Sequence, residues 1–137
     1  MESLVNYSLF TNEIRIVNHQ LPVGQFTADP KIHRTISKID DAKTAVTYAL
    51  ELRNTEEHPF PADIFVSLTG VFDISKLDDC QVDDFIKVQT CQILFPQIRT
   101  IVSSLTSAAL MPPLLLPIVD ARKLFPNEPK EQTKTDK

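Results

Sequence analysis

The chain has 137 residues, 42% apolar and 23% charged, with ten prolines, two glycines and a formal net charge of −4. Those proportions suit one globular domain with a core of its own. The acidic balance argues against nucleic acid and anionic membrane surfaces as partners, and two glycines exclude a glycine-rich phosphate cradle. Cys80 and Cys91 are too few for a disulfide framework and read as free thiols of a reducing compartment. No basic start followed by an apolar core marks a secretory leader, and no apolar run is long enough to insert in a bilayer. The expectation is a cytoplasmic protein with a single domain over residues 1–126.

Residues 7–19 (YSLFTNEIRIVNH) read as a strand, with Phe10, Ile14 and Ile16 on one parity and Thr11, Glu13 and Arg15 on the other. Residues 20–31 are a connection broken by Pro22, Gly24 and Pro30. Residues 32–41 form a modest strand in which Ile39 falls out of phase with Ile32 and Ile36, as a bulge or an edge position would explain. Residues 44–55 alternate cleanly: Val46, Tyr48, Leu50 and Leu52 point one way, Thr47, Glu51 and Arg53 the other. A helix over 42–53 is the competing reading, because Ala, Leu, Glu and Arg are good helix formers; the alternation favours the strand. Residues 62–75 are the clearest strand, with Ile64, Val66, Leu68, Phe72 and Ile74 on one face. Gly70 in its middle marks a bulge or a close backbone approach.

The acidic stretch Asp78, Asp79, Asp83 and Asp84 suits a helix start, and a short helix is predicted over 82–90. Pro96 then starts or kinks a long helix whose apolar face is Leu94, Ile98, Ile101, Val102, Leu105, Ala108 and Ala109. Residues 110–119 (LMPPLLLPIV) are almost wholly apolar, yet three prolines forbid a helix. Asp120 can cap a last helical turn over 121–125, which Pro126 and Pro129 stop. Residues 127–137 are a polar, disordered tail. Strands followed by helices give an α+β fold, an antiparallel sheet covered on one face by helices.

Candidate chemistry is sparse. His19, His33 and His58 are scattered, no His or Cys pair has metal-ligand spacing, and Ser103, Ser104 and Ser107 lack a nucleophile-elbow motif. Adjacent carboxylates at turns read as solvated caps. Cys91 precedes an apolar helix and reads as a packed thiol rather than a nucleophile. The pattern points to no enzyme and no cofactor. What remains is the apolar loop, which either completes the core or waits for an apolar partner.

The run Cys91-Gln92-Ile93-Leu94-Phe95-Pro96-Gln97-Ile98-Arg99, with the proline loop ending Leu116-Pro117-Ile118-Val119-Asp120-Ala121, resembles SecB, the bacterial export-chaperone family. The ILFP tetrapeptide with an arginine three residues on is its most specific piece. Gly70-Val71-Phe72-Asp73-Ile74 resembles the family's Gly-Ile/Val-Phe-x-Ile strand end, and the likeness runs over residues 7–125. It implies a four-stranded antiparallel sheet, a long helix, an extended crossover loop and a short C-terminal helix packed on one face. It further implies an ATP-independent holdase that keeps unfolded preproteins export-competent for the Sec translocase and its motor SecA, assembled as a homotetramer, a dimer of dimers.

On that resemblance the client groove comprises Phe72, Ile74, Leu110, Met111, Leu114, Leu115, Leu116, Ile118 and Phe125. The oligomer interface comprises Ile14, Ile16, Ile98, Ile101, Val102 and Leu105. Two departures stand out. Pro126 shortens the last helix, and Lys130, Lys134 and Lys137 make the tail mixed in charge where export-type members are acidic. Where those members carry an acidic SecA-docking residue on the fourth strand, this chain has Phe65, with Asp63 two residues earlier. A SecB-like chaperone dedicated to one partner, such as an antitoxin, is the alternative implied.

Overall fold

The computed structural model describes residues 5–20, 29–112 and 114–116. Four strands come first, β1 (Tyr7–Asn18), β2 (Lys31–Lys38), β3 (Lys43–Leu52) and β4 (Ala62–Asp73). A helical arm follows, made of α1 (Asp79–Asp84), a π-helical segment (Phe85–Gln89) and α2 (Thr90–Ala108). All neighbouring strands are antiparallel, in the order β1-β4-β3-β2. The expected α+β class, four-stranded sheet and long helix are therefore present. The short C-terminal helix and the tail lie outside the described residues.

Strand β3 resolves its helix-or-strand ambiguity by alternation. Val46, Tyr48, Leu50 and Leu52 are buried between the sheet and α2, while Thr47 and Glu51 stand on the opposite face. Residue-by-residue pairing with β4 aligns Leu52 with Ile64, Leu50 with Val66 and Tyr48 with Leu68. From the helix, Cys91, Leu94, Phe95, Ile98 and Val102 complete this core. Leu50, Val66, Leu94, Ile98 and Val102 are fully enclosed. Each buried branched side chain contributes about 1.5–3 kcal/mol relative to exposure.

Strand β1 departs from the parity expected of it. Its register with β4 slips between Thr11 and Glu13, leaving Asn12 as the extra residue of a β-bulge. A slip of one residue exchanges faces. Ile14 and Ile16 lie opposite Val66 and Ile64 on the helix side, whereas Phe10 lies opposite Thr69 on the outer side. The three residues thus do not share one face. The bulge is held by its own chemistry: Asn12 Oδ1 accepts from Thr69 Oγ1 at 2.7 Å and from Ser67 Oγ at 3.4 Å. Thr47 and Thr69 hydroxyls meet at 2.7 Å beside it.

Ile39 is out of phase because it has left the strand. Its N–H donates to Lys43 O at 2.9 Å in the β2–β3 hairpin, and Asp40 Oδ1 accepts from the N–H groups of Ala42 and Lys43. Gly70 marks a close approach and not a bulge in β4. A Cβ there would stand 2.6 Å from two ring atoms of Phe72 and 3.0 Å from Leu9 Cδ2. The Phe72 ring lies back over the glycine and meets the rings of Tyr7 and Phe85, both at 5.5 Å between centroids.

The helical arm is continuous, and its start corrects one expectation. It begins at Asp79, not at residue 82, with Asp78 as N-cap and Gln81 Oε1 accepting from the Asp78 N–H at 2.8 Å. Of the two roles expected of Pro96, starting the long helix is excluded, because it stands inside α2. Pro96 and Gln92 both lie on the exposed side of the helix, so the carbonyl left without a donor by the proline is on the solvent face. A π-helical turn over Phe85–Gln89 joins α1 to α2, with Val88 as its buried residue. Arg34 of β2 reaches this turn, donating to Lys87 O at 3.2 Å.

Candidate functional site

Helix α2 ends in a Schellman motif: Leu110 N–H donates to Ser107 O at 3.0 Å and Met111 N–H to Thr106 O at 2.9 Å. Leu110 occupies the left-handed position with φ 62°, where glycine is the usual residue, and its side chain is 94% exposed. The chain then turns back along α2. Leu114 N–H donates to Thr106 Oγ1 at 2.9 Å, and Arg99 Nε–H donates to Leu116 O at 2.9 Å. The proline-rich loop is therefore laid on the helix that precedes it.

This placement divides the predicted groove residues. Leu116 is buried in the core, Met111 and Leu114 pack against its margin, and Leu115 is 75% exposed. Leu115 and Leu116 border a shallow cavity of about 350 Å3 whose other wall is Pro96, Arg99, Thr100, Ser103 and Ser104. Phe72 is fully buried under Tyr7 and Phe85, at the opposite end of the arm. Phe85 and Thr106 are 21 residues apart along the arm, roughly 30 Å at 1.5 Å per residue. Phe72 and Leu116 belong to the same buried core, with Ile74, Met111 and Leu114 packed at its margin. Ile118 and Phe125 lie outside the described residues.

The predicted interface residues divide likewise. Ile98 and Val102 are fully buried against the sheet of their own chain, Ile101 and Leu105 are half-buried, and Ile16 is half-buried on β1. Ile14 is 44% exposed, and β1 also exposes Tyr7, Phe10 and Val17, so this edge strand carries apolar side chains on both faces. Helical periodicity cannot separate residues that face the sheet from those that face outward at the stripe's border.

Of the two expected docking residues, Asp63 is engaged inside the chain. Its Oδ1 accepts from Asn54 N–H at 2.9 Å and stands 3.1 Å from His19 Nε2. The backbone N–H of Asn54, aided by His19 and Arg53, holds its carboxyl below the usual carboxylate range. Phe65 is half-buried on the outer face under the Arg15 guanidinium, 5.3 Å from the ring centroid.

The other titratable groups among the described residues make no convergent centre. Burial pushes the Cys91 thiol up, opposed in part by its contact with the Tyr48 hydroxyl, and burial likewise raises Tyr48. A protonated, enclosed thiol is a poor nucleophile. His58 and Lys31 flank Asp29 at 3.6 and 3.0 Å in a surface recess of about 300 Å3 whose charges compensate one another. Among the described residues no group of three or more His, Cys, Asp or Glu side chains is placed to hold a metal ion. Nor is any helix among them long and apolar enough to cross a membrane.

Sequence reasoning missed the residues that hold the loop. Arg99 was noted only as part of a motif, and Thr106 passed unremarked inside the apolar stripe. A hydroxyl on the buried face of a helix was the available signal, since such a group needs partners.

The class so defined is a one-sheet α+β domain with a proline-rich apolar loop laid on its long helix. The SecB family profile, described as preprotein translocase subunit SecB, matches residues 18–132, and the chain belongs to that family. Protein-export protein SecB of Ehrlichia ruminantium is 34% identical over 74 residues, covering 48% of this chain and 42% of its own length. An uncharacterised protein of Methanocaldococcus jannaschii is 30% identical over 74 residues, covering 53% and 48%. The matches thus span about half the length of these curated relatives. A Mycobacterium tuberculosis SecB-like chaperone, solved in complex with a peptide from the HigA1 antitoxin, superposes with a TM-score of 0.71. It is 19% identical, over 85% of this chain and 91% of that one, a likeness of fold.

Proposed function

We propose that this chain is an ATP-independent holdase that captures unfolded polypeptide on the apolar surface presented by its crossover loop. The observation that carries the reading is the loop itself, with Leu110 and Leu115 held out to solvent on a backbone tied to α2. Burying two leucines supplies ~3–6 kcal/mol gross, and ordering the client cancels much of it. Useful affinity then comes from several such surfaces on one assembly. The exposed apolar edge of β1 supports self-association into a homotetramer, a dimer of dimers, in the cytoplasm. Unfolded preproteins awaiting the Sec translocase are the first class of client.

A partner-dedicated chaperone is the second reading, with an antitoxin segment as client. It is favoured by Asp63, whose carboxylate is already committed to Asn54 and His19 and is less available to a motor such as SecA. Membership of a chaperone family supports a binding role over an enzymatic one.

The test dilutes a chemically denatured client into buffer containing the chain, with and without ATP, and follows light scattering. Near-stoichiometric suppression without nucleotide is expected, and the Leu110→Ser, Leu115→Ser double variant should suppress less while melting normally. Unchanged client aggregation at excess chain overturns the reading. Tight binding of one segment with little effect on generic clients selects the dedicated alternative.

A further inference from the structure

We infer that Arg99 and Thr106 are positioning residues for the client surface, fixing the register of the crossover loop so that Leu115 points outward and Leu116 inward. The inference rests on the holdase reading above. Thr106 is fully buried, and its hydroxyl donates its one proton back to the helix, to Val102 O or Ser103 O, each at 3.0 Å. That commitment aims a lone pair outward, where it accepts the Leu114 N–H. Arg99 makes no ion pair among the described residues, and its guanidinium donates to the carbonyl of Leu116.

The two anchors are seven residues apart on the helix, about 10.5 Å along its axis. They are two residues apart on the loop, at most about 7 Å in an extended chain. The reach of the arginine side chain covers the difference, so the loop is held extended and antiparallel to α2. In an extended segment successive side chains alternate, and the observed sequence is half-buried Leu114, exposed Leu115, buried Leu116. A slip of one residue would bury Leu115 and expose its neighbours, the same exchange that a register slip causes in a strand. Proline stiffens this loop but has no N–H with which to set a register. The hydroxyl and the guanidinium do that.

The test compares Thr106→Val, which replaces the hydroxyl by a methyl group of similar shape, with Thr106→Ser, which keeps it, and with Arg99→Met. Three quantities are measured: amide exchange at Leu114, affinity for a fluorescent unfolded client, and thermal stability. Thr106→Val should speed Leu114 exchange and weaken client binding, each by roughly five- to tenfold for one lost hydrogen bond. Thr106→Ser should restore both. Arg99→Met should weaken binding similarly, and it carries the functional test alone if Thr106→Val fails to fold.

A folded Thr106→Val chain with faster Leu114 exchange and undiminished client binding overturns the inference and leaves the holdase reading standing. Unchanged Leu114 exchange overturns it as well. A wild-type chain with a protected Leu114 amide that binds no client overturns the holdase reading, and the role assigned here falls with it.

Discussion

Replacing Leu110 by glycine should stabilise the protein. At φ 62° the Cβ of an L-residue crowds the following carbonyl, at a cost of roughly 1–2 kcal/mol. The Schellman hydrogen bonds from Leu110 and Met111 hold that conformation, so the chain cannot relax out of it without leaving carbonyls of α2 unpaired. The side chain is 94% exposed, so removing it forfeits almost no packing. Glycine restores about 0.4–1 kcal/mol of unfolded-state entropy in the opposite direction. The net expectation is a gain of roughly 0.5–1 kcal/mol.

Urea titration measures it, read as a higher midpoint at an unchanged slope. Leu110→Ala is the control, because alanine keeps the Cβ and loses the same surface. Glycine should therefore exceed alanine in stability. A glycine variant no more stable than the alanine variant refutes the backbone argument. If Leu110 also serves the client, both variants bind it less well, and a strained position has been kept for an exposed apolar group, the kind of compromise that functional sites show.

Gly70→Ala should destabilise the fold by ~1–3 kcal/mol, the usual cost of overpacking. The new Cβ would meet Phe72 at 2.6 Å, and that ring is fully buried against Tyr7 and Phe85. Calorimetry checks it, and partial recovery on adding Phe72→Leu to the alanine variant locates the clash. With an aromatic disulfide reagent, native protein should show one fast thiol, the exposed Cys80, and release Cys91 only in denaturant. Two fast thiols in the native chain would contradict the enclosure of Cys91.

The chemistry of single residues was legible before any coordinates. Alternation over Val46–Leu52 specified a strand and its buried face, because a pleat sends neighbours to opposite sides whatever the strand pairs with. The acidic start of the helical arm, the apolar face of α2 and the extended, proline-stiffened loop followed from equally local rules. The family likeness in the ILFP run supplied the rest of the fold class.

What alternation cannot carry is an extra residue. At Asn12 two residues of β1 face one of β4, and from there the parity of Phe10 no longer predicts that of Ile14. Strand order was equally hidden, since periodicity names a face and never a neighbour. Only the folded chain sets β1 beside β4, leaving the apolar side chains of β1 at the edge of the four described strands.

The loop shows the same division most clearly. Composition alone determined that residues 110–116 would be apolar, extended and stiff. Which leucine meets solvent was decided by two polar contacts from a helix whose anchoring residues precede those loop residues by 8 and 17 positions. A hydrogen bond of that kind depends on where two segments come to lie together, and that is a property of the packed chain rather than of either segment.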